Sequence, residues 1–132
     1  MTDKIDKKTR LVMISGDFPP RISGVGDYAY HISSTAAKMG VNVTVICTKS
    51  DGADTASLYG TLDVRPLMDK WRFAEIKNII QVLRESDQNS VVNIQYGCLA
   101  YGRQLMINFL PLFIRMVYPH VRVVITLHGF WE

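Results

Sequence analysis

His128 is the residue in this chain best placed to do chemistry. It follows Thr126 and Leu127 at the end of a β-branched, apolar run, and Gly129 comes directly after it. An imidazole titrates near neutrality and can donate to or accept from a ligand hydroxyl, or meet a charge developing on a substrate. A structural histidine satisfied by its neighbours fits the same pattern. His31 and His120 lack this placement and read as a helix-face residue and a loop residue.

The second candidate is the loop from Ser15 to Tyr28, Ser-Gly-Asp-Phe-Pro-Pro-Arg-Ile-Ser-Gly-Val-Gly-Asp-Tyr. It lies between the apolar run Leu11–Ile14 and a helix-like segment, Tyr28 to Met39. A strand, a glycine-bearing loop and a helix bring backbone N–H groups at a helix start to a polar or anionic ligand. The run Gly24-Val-Gly26-Asp-Tyr-Ala29 matches the G-x-G-x-x-A dinucleotide pattern in letters only. Pro19-Pro20 and a long loop separate it from the strand, and the next acid, Asp51, lies beyond the second strand. Asp27 falls in the first helical turn, where a carboxylate favours the helix dipole and would repel an anion. The loop then offers N–H groups to sugar hydroxyls, with phosphate contacts left to Arg21 or to another domain.

Around these candidates the elements alternate. Residues 1–9 are charged and without periodicity, a flexible lead-in to a domain over 10–132. Leu11–Ile14 reads as a strand covered on both faces. Tyr28, Ile32, Ala36 and Met39 recur at helical spacing, with Gly40 as a stop signal. Asn42–Thr48 is a β-branched strand, Lys49–Gly60 is turn-rich, and Leu62–Leu67 is a short strand in which Pro66 argues for an edge. Trp71–Glu85 is an amphipathic helix with Phe73, Ile76, Ile80 and Leu83 on one face. Val91–Tyr96 is a strand, and Tyr101–Tyr118 is apolar almost all round, which predicts a largely buried helix kinked near Pro111. Val121–Leu127 is the last strand. Alternation of this kind predicts an α/β fold, a Rossmann-like parallel sheet with helices on both faces. Ligands bind outside the carboxyl ends of such strands. The opening loop, Gln95-Tyr96-Gly97 and His128-Gly129 all fall on that edge.

Composition narrows the function classes. The chain has 132 residues, 48% hydrophobic and 20% charged, with a formal charge of +3. No basic block occurs outside Lys4–Arg10, and no nucleic-acid module is present, which excludes nucleic acid as the expected partner. Cys47 and Cys98 end apolar runs without metal-ligand spacing, as small buried hydrophobes of a reducing, cytoplasmic compartment. The polar N-terminus is unlike a signal peptide, and Leu105–Tyr118 is too short and interrupted to span a bilayer. Arg103, Arg115 and Arg122 could give the apolar helix between them a lipid-facing basic surface, although burial against the sheet explains the same residues.

Taken together, the residues resemble the N-terminal domain of a GT-B glycosyltransferase of the large retaining family 4. The resemblance is carried by Asp17-Phe-Pro-Pro20, Gly24-Val-Gly26-Asp-Tyr28, Gly40-Val-Asn-Val-Thr-Val45, Asn93-Ile-Gln-Tyr96 and Thr126-Leu-His-Gly129, five short motifs in order along the whole chain. It implies transfer of a sugar from a nucleotide-sugar to an acceptor hydroxyl with retained configuration, generally without a metal ion or other cofactor. By the same resemblance Gly24 and Gly26 form the glycine loop near donor phosphates and acceptor. His128 lies near the transferred sugar, and Gln95 and Tyr96 line the acceptor side. The acceptor would be a carbohydrate, a small metabolite or a lipid-linked molecule at the inner face of a membrane.

The family's C-terminal donor domain, with its basic residues and paired glutamates, has no counterpart in these 132 residues. The chain therefore reads as the partial N-terminal domain of such an enzyme, inactive alone because the groups that stabilise the leaving diphosphate are missing. Phe130-Trp131, apolar and directly after a strand with no closing helix, read the same way. A Rossmann-like module that binds a ligand or partner without chemistry is the other expectation.

Overall fold

Parallel pairing joins every neighbouring strand in the sheet. The computed structural model describes residues 9–50, 60–85, 89–97 and 100–129. The strands are β1 (Arg10–Ser15), β2 (Asn42–Thr48), β3 (Asp63–Met68), β4 (Ser90–Tyr96) and β5 (Arg122–Leu127), and they lie side by side as β3-β2-β1-β4-β5. The helices are α1 (Gly24–Lys38), α2 (Ile76–Arg84) and α3 (Met106–Val117). The predicted α/β fold, a Rossmann-like parallel sheet with helices on both faces, is the one observed.

The central strands are continuous apolar runs because both of their faces are covered. Met13, Val43, Val45 and Cys47 pack with Ala29 of α1 and Phe18 on one face. Val12, Ile14, Ile46, Val92 and Ile94 pack with α2 and α3 on the other. Full burial of one such side chain contributes about 1.5–3 kcal/mol. At the β3 edge, Pro66 needs no ladder partner on its outer side. Arg65 there bridges Asp63 at 2.9 Å and Glu85 at 2.7 Å, charging an edge that would otherwise invite further strands.

Each helix differs from its sequence-based outline for a local reason. The Ser23 hydroxyl accepts from Gly26 N–H at 3.4 Å, so α1 begins at Gly24 and both glycines lie in its first turn. Its buried stripe is Gly26, Ala29 and Ser33, small residues that let the helix lie close to the sheet, while Tyr28, Ile32 and Met39 stay exposed. Gly40 ends it at φ 90°, where glycine alone is unstrained. The stretch from Trp71 does not start α2. Glu75 instead accepts backbone N–H groups of Asp69 (2.6 Å), Lys70 (3.1 Å) and Arg72 (2.9 Å), which holds a one-turn 3₁₀ segment at Phe73–Glu75. Partial burial disfavours the Glu75 charge, but these three donors outweigh it and hold the carboxyl below its ordinary pKa. Phe73 is therefore exposed, and Ile76, Ile79, Val82 and Leu83 form the buried face.

The expectation of a largely buried third helix fails. Met106, Ile107, Leu110 and Ile114 face the sheet, whereas Leu105, Phe109, Leu112 and Met116 are 53–73% exposed. A sheet can bury only one stripe of a helix, and among the described residues nothing covers the outer one. Pro111 does lie inside α3. The lead-in over 1–8, most of the polar stretch 49–60, Cys98, Phe130 and Trp131 lie outside the described residues. No described helix is long and apolar enough to cross a membrane.

Burial pushes the Cys47 thiol up from 9.0 to about 12, with Arg21 opposing weakly. The unfolded thiol ionises near 9, so its share of stability is complete below pH 9 and is lost as pH rises towards 12. Urea unfolding should therefore show stability falling above pH 9 by up to about 1.4 kcal/mol per pH unit from this group. Cys47→Val should flatten that slope, and equal slopes in the two proteins would contradict the assignment.

Candidate functional site

The helices that follow β1 and β4 lie on opposite faces, while the two strands are neighbours. Their carboxyl ends are therefore the switch point of the sheet, the usual ligand position in such folds. Ser15 and Gln95 form the last β1–β4 register pair. Beyond them the Tyr101 hydroxyl takes the place of the next rung, donating to the Gln95 carbonyl while Gly16 N–H donates to its oxygen. Burial pushes the Tyr101 pKa up, so the hydroxyl remains a donor at any ordinary pH.

Gly16 is a glycine for steric reasons. A Cβ there would fall 2.0 Å from the Ala100 carbonyl oxygen, so the loops after β1 and β4 touch backbone to backbone. The Gly16 carbonyl accepts from the Thr48 hydroxyl, which accepts from the Trp71 indole N–H at 2.8 Å. Trp71, at φ 55°, sets its ring edge-on to Tyr101 with centroids 4.7 Å apart.

His128 stands at the β5 end of the same edge. Its backbone N–H donates to the Tyr96 carbonyl at 2.8 Å. Its Nε2 lies 2.7 Å from Gln95 Oε1. The Gln95 amide nitrogen donates to Asn93 Oδ1 at 3.2 Å, and the Thr126 hydroxyl donates to the same oxygen at 3.1 Å. With its NH₂ turned to Asn93, Gln95 presents its carbonyl to His128, so Nε2 carries the hydrogen and Nδ1 is left as an acceptor. Tyr28 of α1 packs edge-on to the imidazole with centroids 5.2 Å apart. Gly97 lies between the two, its Cβ position 3.5 Å from Val25 Cγ2 and 3.9 Å from His128 Cβ. The half-buried ring can thus accept from a ligand hydroxyl while its other nitrogen is held.

The structure brings some of the sequence candidates together and separates others. His128 and Gln95 are bonded, and the first turn of α1 borders them through Val25 and Tyr28. Gly24 has open space where a side chain would be, and its N–H, in the first turn, has no intrahelical acceptor. Gly26 instead packs 3.1–3.2 Å from the Asp17–Phe18 backbone and serves the fold. Asp27 is exposed in the first helical turn. The Tyr96 side chain, one residue on from Gln95, points to the opposite sheet face and donates to Asn108 at 2.7 Å. Gly129 is exposed at φ 69° with open space around it.

Arg21 pairs with Asp17 at 3.1 Å and borders a separate open cleft of about 300 Å³, whose other walls include Thr48, Lys70, Trp71, Tyr101 and Gln104. Sequence reasoning missed this cleft because its residues come from several loops. Asn93 and Thr126 stood in the quoted motifs without a role at the site, although polar side chains inside apolar strands were the available signal. Among the described residues no cluster of His, Cys, Asp and Glu could hold a metal ion.

Tyr101→Phe would leave Gly16 N–H and the Gln95 carbonyl without their shared partner. Urea denaturation should show a loss of about 1–3 kcal/mol, and an unchanged midpoint would remove the hydroxyl from this role. Compared with protein-family models, curated proteins and solved structures, the chain matches none, so the family resemblance rests on its five motifs and their order.

Proposed function

We propose that the chain supplies the acceptor-side wall of a retaining GT-B glycosyltransferase. The acceptor oxygen bonds to the anomeric carbon of a nucleotide-sugar as the bond to the nucleoside diphosphate breaks, and the hydroxyl proton passes to the departing phosphate. The observation that carries this reading is the oriented His128 imidazole. Gln95 fixes its tautomer, and the open first turn of α1 stands beside it. An acceptor nitrogen beside unpaired helix N–H groups suits a polyhydroxylated ligand, because sugar hydroxyls donate to the one and accept from the other. Exposed Asp27 at the same helix start speaks against a ligand held there by phosphate alone. Binding of the diphosphate falls in this reading to basic groups of a donor domain.

A second reading is favoured by the cleft beside Trp71. It lies apart from His128, and Arg21, Lys70 and Gln104 line it, as suits a module that binds an anionic or polar ligand without chemistry.

The two separate by experiment. With this chain joined to a donor domain, His128→Ala should lower the rate of sugar transfer by about tenfold, as loss of one hydrogen bond of about 0.5–1.5 kcal/mol implies. The product anomer read by NMR should match the donor. Unchanged transfer in His128→Ala would refute the first reading. Ligand-dependent quenching of Trp71 fluorescence, lost in Arg21→Ala with Lys70→Ala but kept in His128→Ala, would establish the second.

A further inference from the structure

The outer face of α3 is the largest feature that the sheet-edge site leaves unexplained. At about 100° per residue, Leu105, Phe109, Leu112, Phe113 and Met116 fall on one continuous arc. They are 64, 53, 61, 38 and 73% exposed. Phe73, 56% exposed, extends the patch with its ring 6.1 Å from that of Phe109. Scattered exposed apolar residues are ordinary, but a contiguous surface of this kind marks a docking site.

Charge identifies the occupant. From residue 88 to residue 131 the sequence contains no acidic residue, while Arg103, Arg115 and Arg122 are all exposed. Arg103 lies just before α3, Arg115 in its last turn, and Arg122 opens β5 after the following turn. A second copy docking through α3 would set these arginines against the same arginines, with no carboxylate on α3 or the segments that flank it. Anionic headgroups complement the three cations instead, and their acyl boundary accepts the aromatic and aliphatic side chains. With 12 residues α3 is about 18 Å long, too short to span a hydrocarbon core of ~30 Å, and so suited to lie in the interface plane. We propose that the outer face of α3 docks this chain onto an anionic bilayer surface. The inference does not rest on the sugar-transfer reading.

Flotation with vesicles of mixed phosphatidylglycerol and phosphatidylcholine tests it against vesicles of phosphatidylcholine alone. Binding should be at least about tenfold tighter to the anionic vesicles and should weaken with added salt. Leu112→Glu with Met116→Glu, both at exposed positions, should lower vesicle affinity by about tenfold or more. Arg115→Glu with Arg122→Glu provides an independent variant that leaves every apolar contact in place and should lose the preference for anionic lipid. The proposal is overturned by failure to bind either vesicle, or by equal binding of wild type and both variants. It is also overturned if light scattering shows an oligomer that the Leu112→Glu, Met116→Glu protein dissolves, since a second copy then covers the face.

Discussion

At the centre of the sheet, two parallel strands must part without leaving their backbone groups unpaired. The chain leaves β1 toward one side and β4 toward the other, so their ladder ends at Ser15 and Gln95. An unpaired buried N–H and C=O would each carry a desolvation cost of about 1–3 kcal/mol. The Tyr101 hydroxyl fills the gap as both acceptor and donor. It can do so only because Gly16 lets the loop after β4 approach without a side chain in the way. The carboxyl edge therefore opens at one defined point.

The rest of the edge follows from that closure. Gln95 ends the ladder with its backbone under Tyr101, and its wholly buried side chain bridges Asn93 and His128. The small stripe of α1 draws its first turn down onto Asp17–Phe18, which sets Tyr28 beside the imidazole and Val25 beside Gly97. Thr48 and Trp71 secure the other side of Gly16. One polar network thus ties the strand ends to the candidate ligand groups.

Much of the fold was legible in the sequence because the central strand of a parallel sheet is an unbroken apolar run, as Leu11–Ile14 is, and because β-branched residues mark Asn42–Thr48 and Val121–Leu127. Pro66 marked the edge strand for a local reason that needs no tertiary context. The helix starts were less legible. Whether Gly24 belongs to loop or helix depends on one hydroxyl, Ser23, and the retreat of α2 from Trp71 depends on where the Glu75 carboxylate folds back. The apolar circumference of α3 read as burial, because hydrophobicity alone does not say which surface covers a side chain. In the site, His128 and Gln95 were visible as residues on one edge. The alternation that turns Tyr96 away, and the loops that assemble the Trp71 cleft, are properties of the folded chain.

Everything proposed for the site depends on the presentation of His128: Gln95 holds Nε2–H and leaves Nδ1 to meet a ligand hydroxyl. Long-range ¹H–¹⁵N correlation of the labelled neutral ring reads the tautomer directly. A protonated Nε2 and an unprotonated Nδ1 are expected, with the Nδ1 resonance moving as a simple glycoside is added. A proton on Nδ1 in the free protein, or ring resonances indifferent to every sugar ligand, would contradict this presentation.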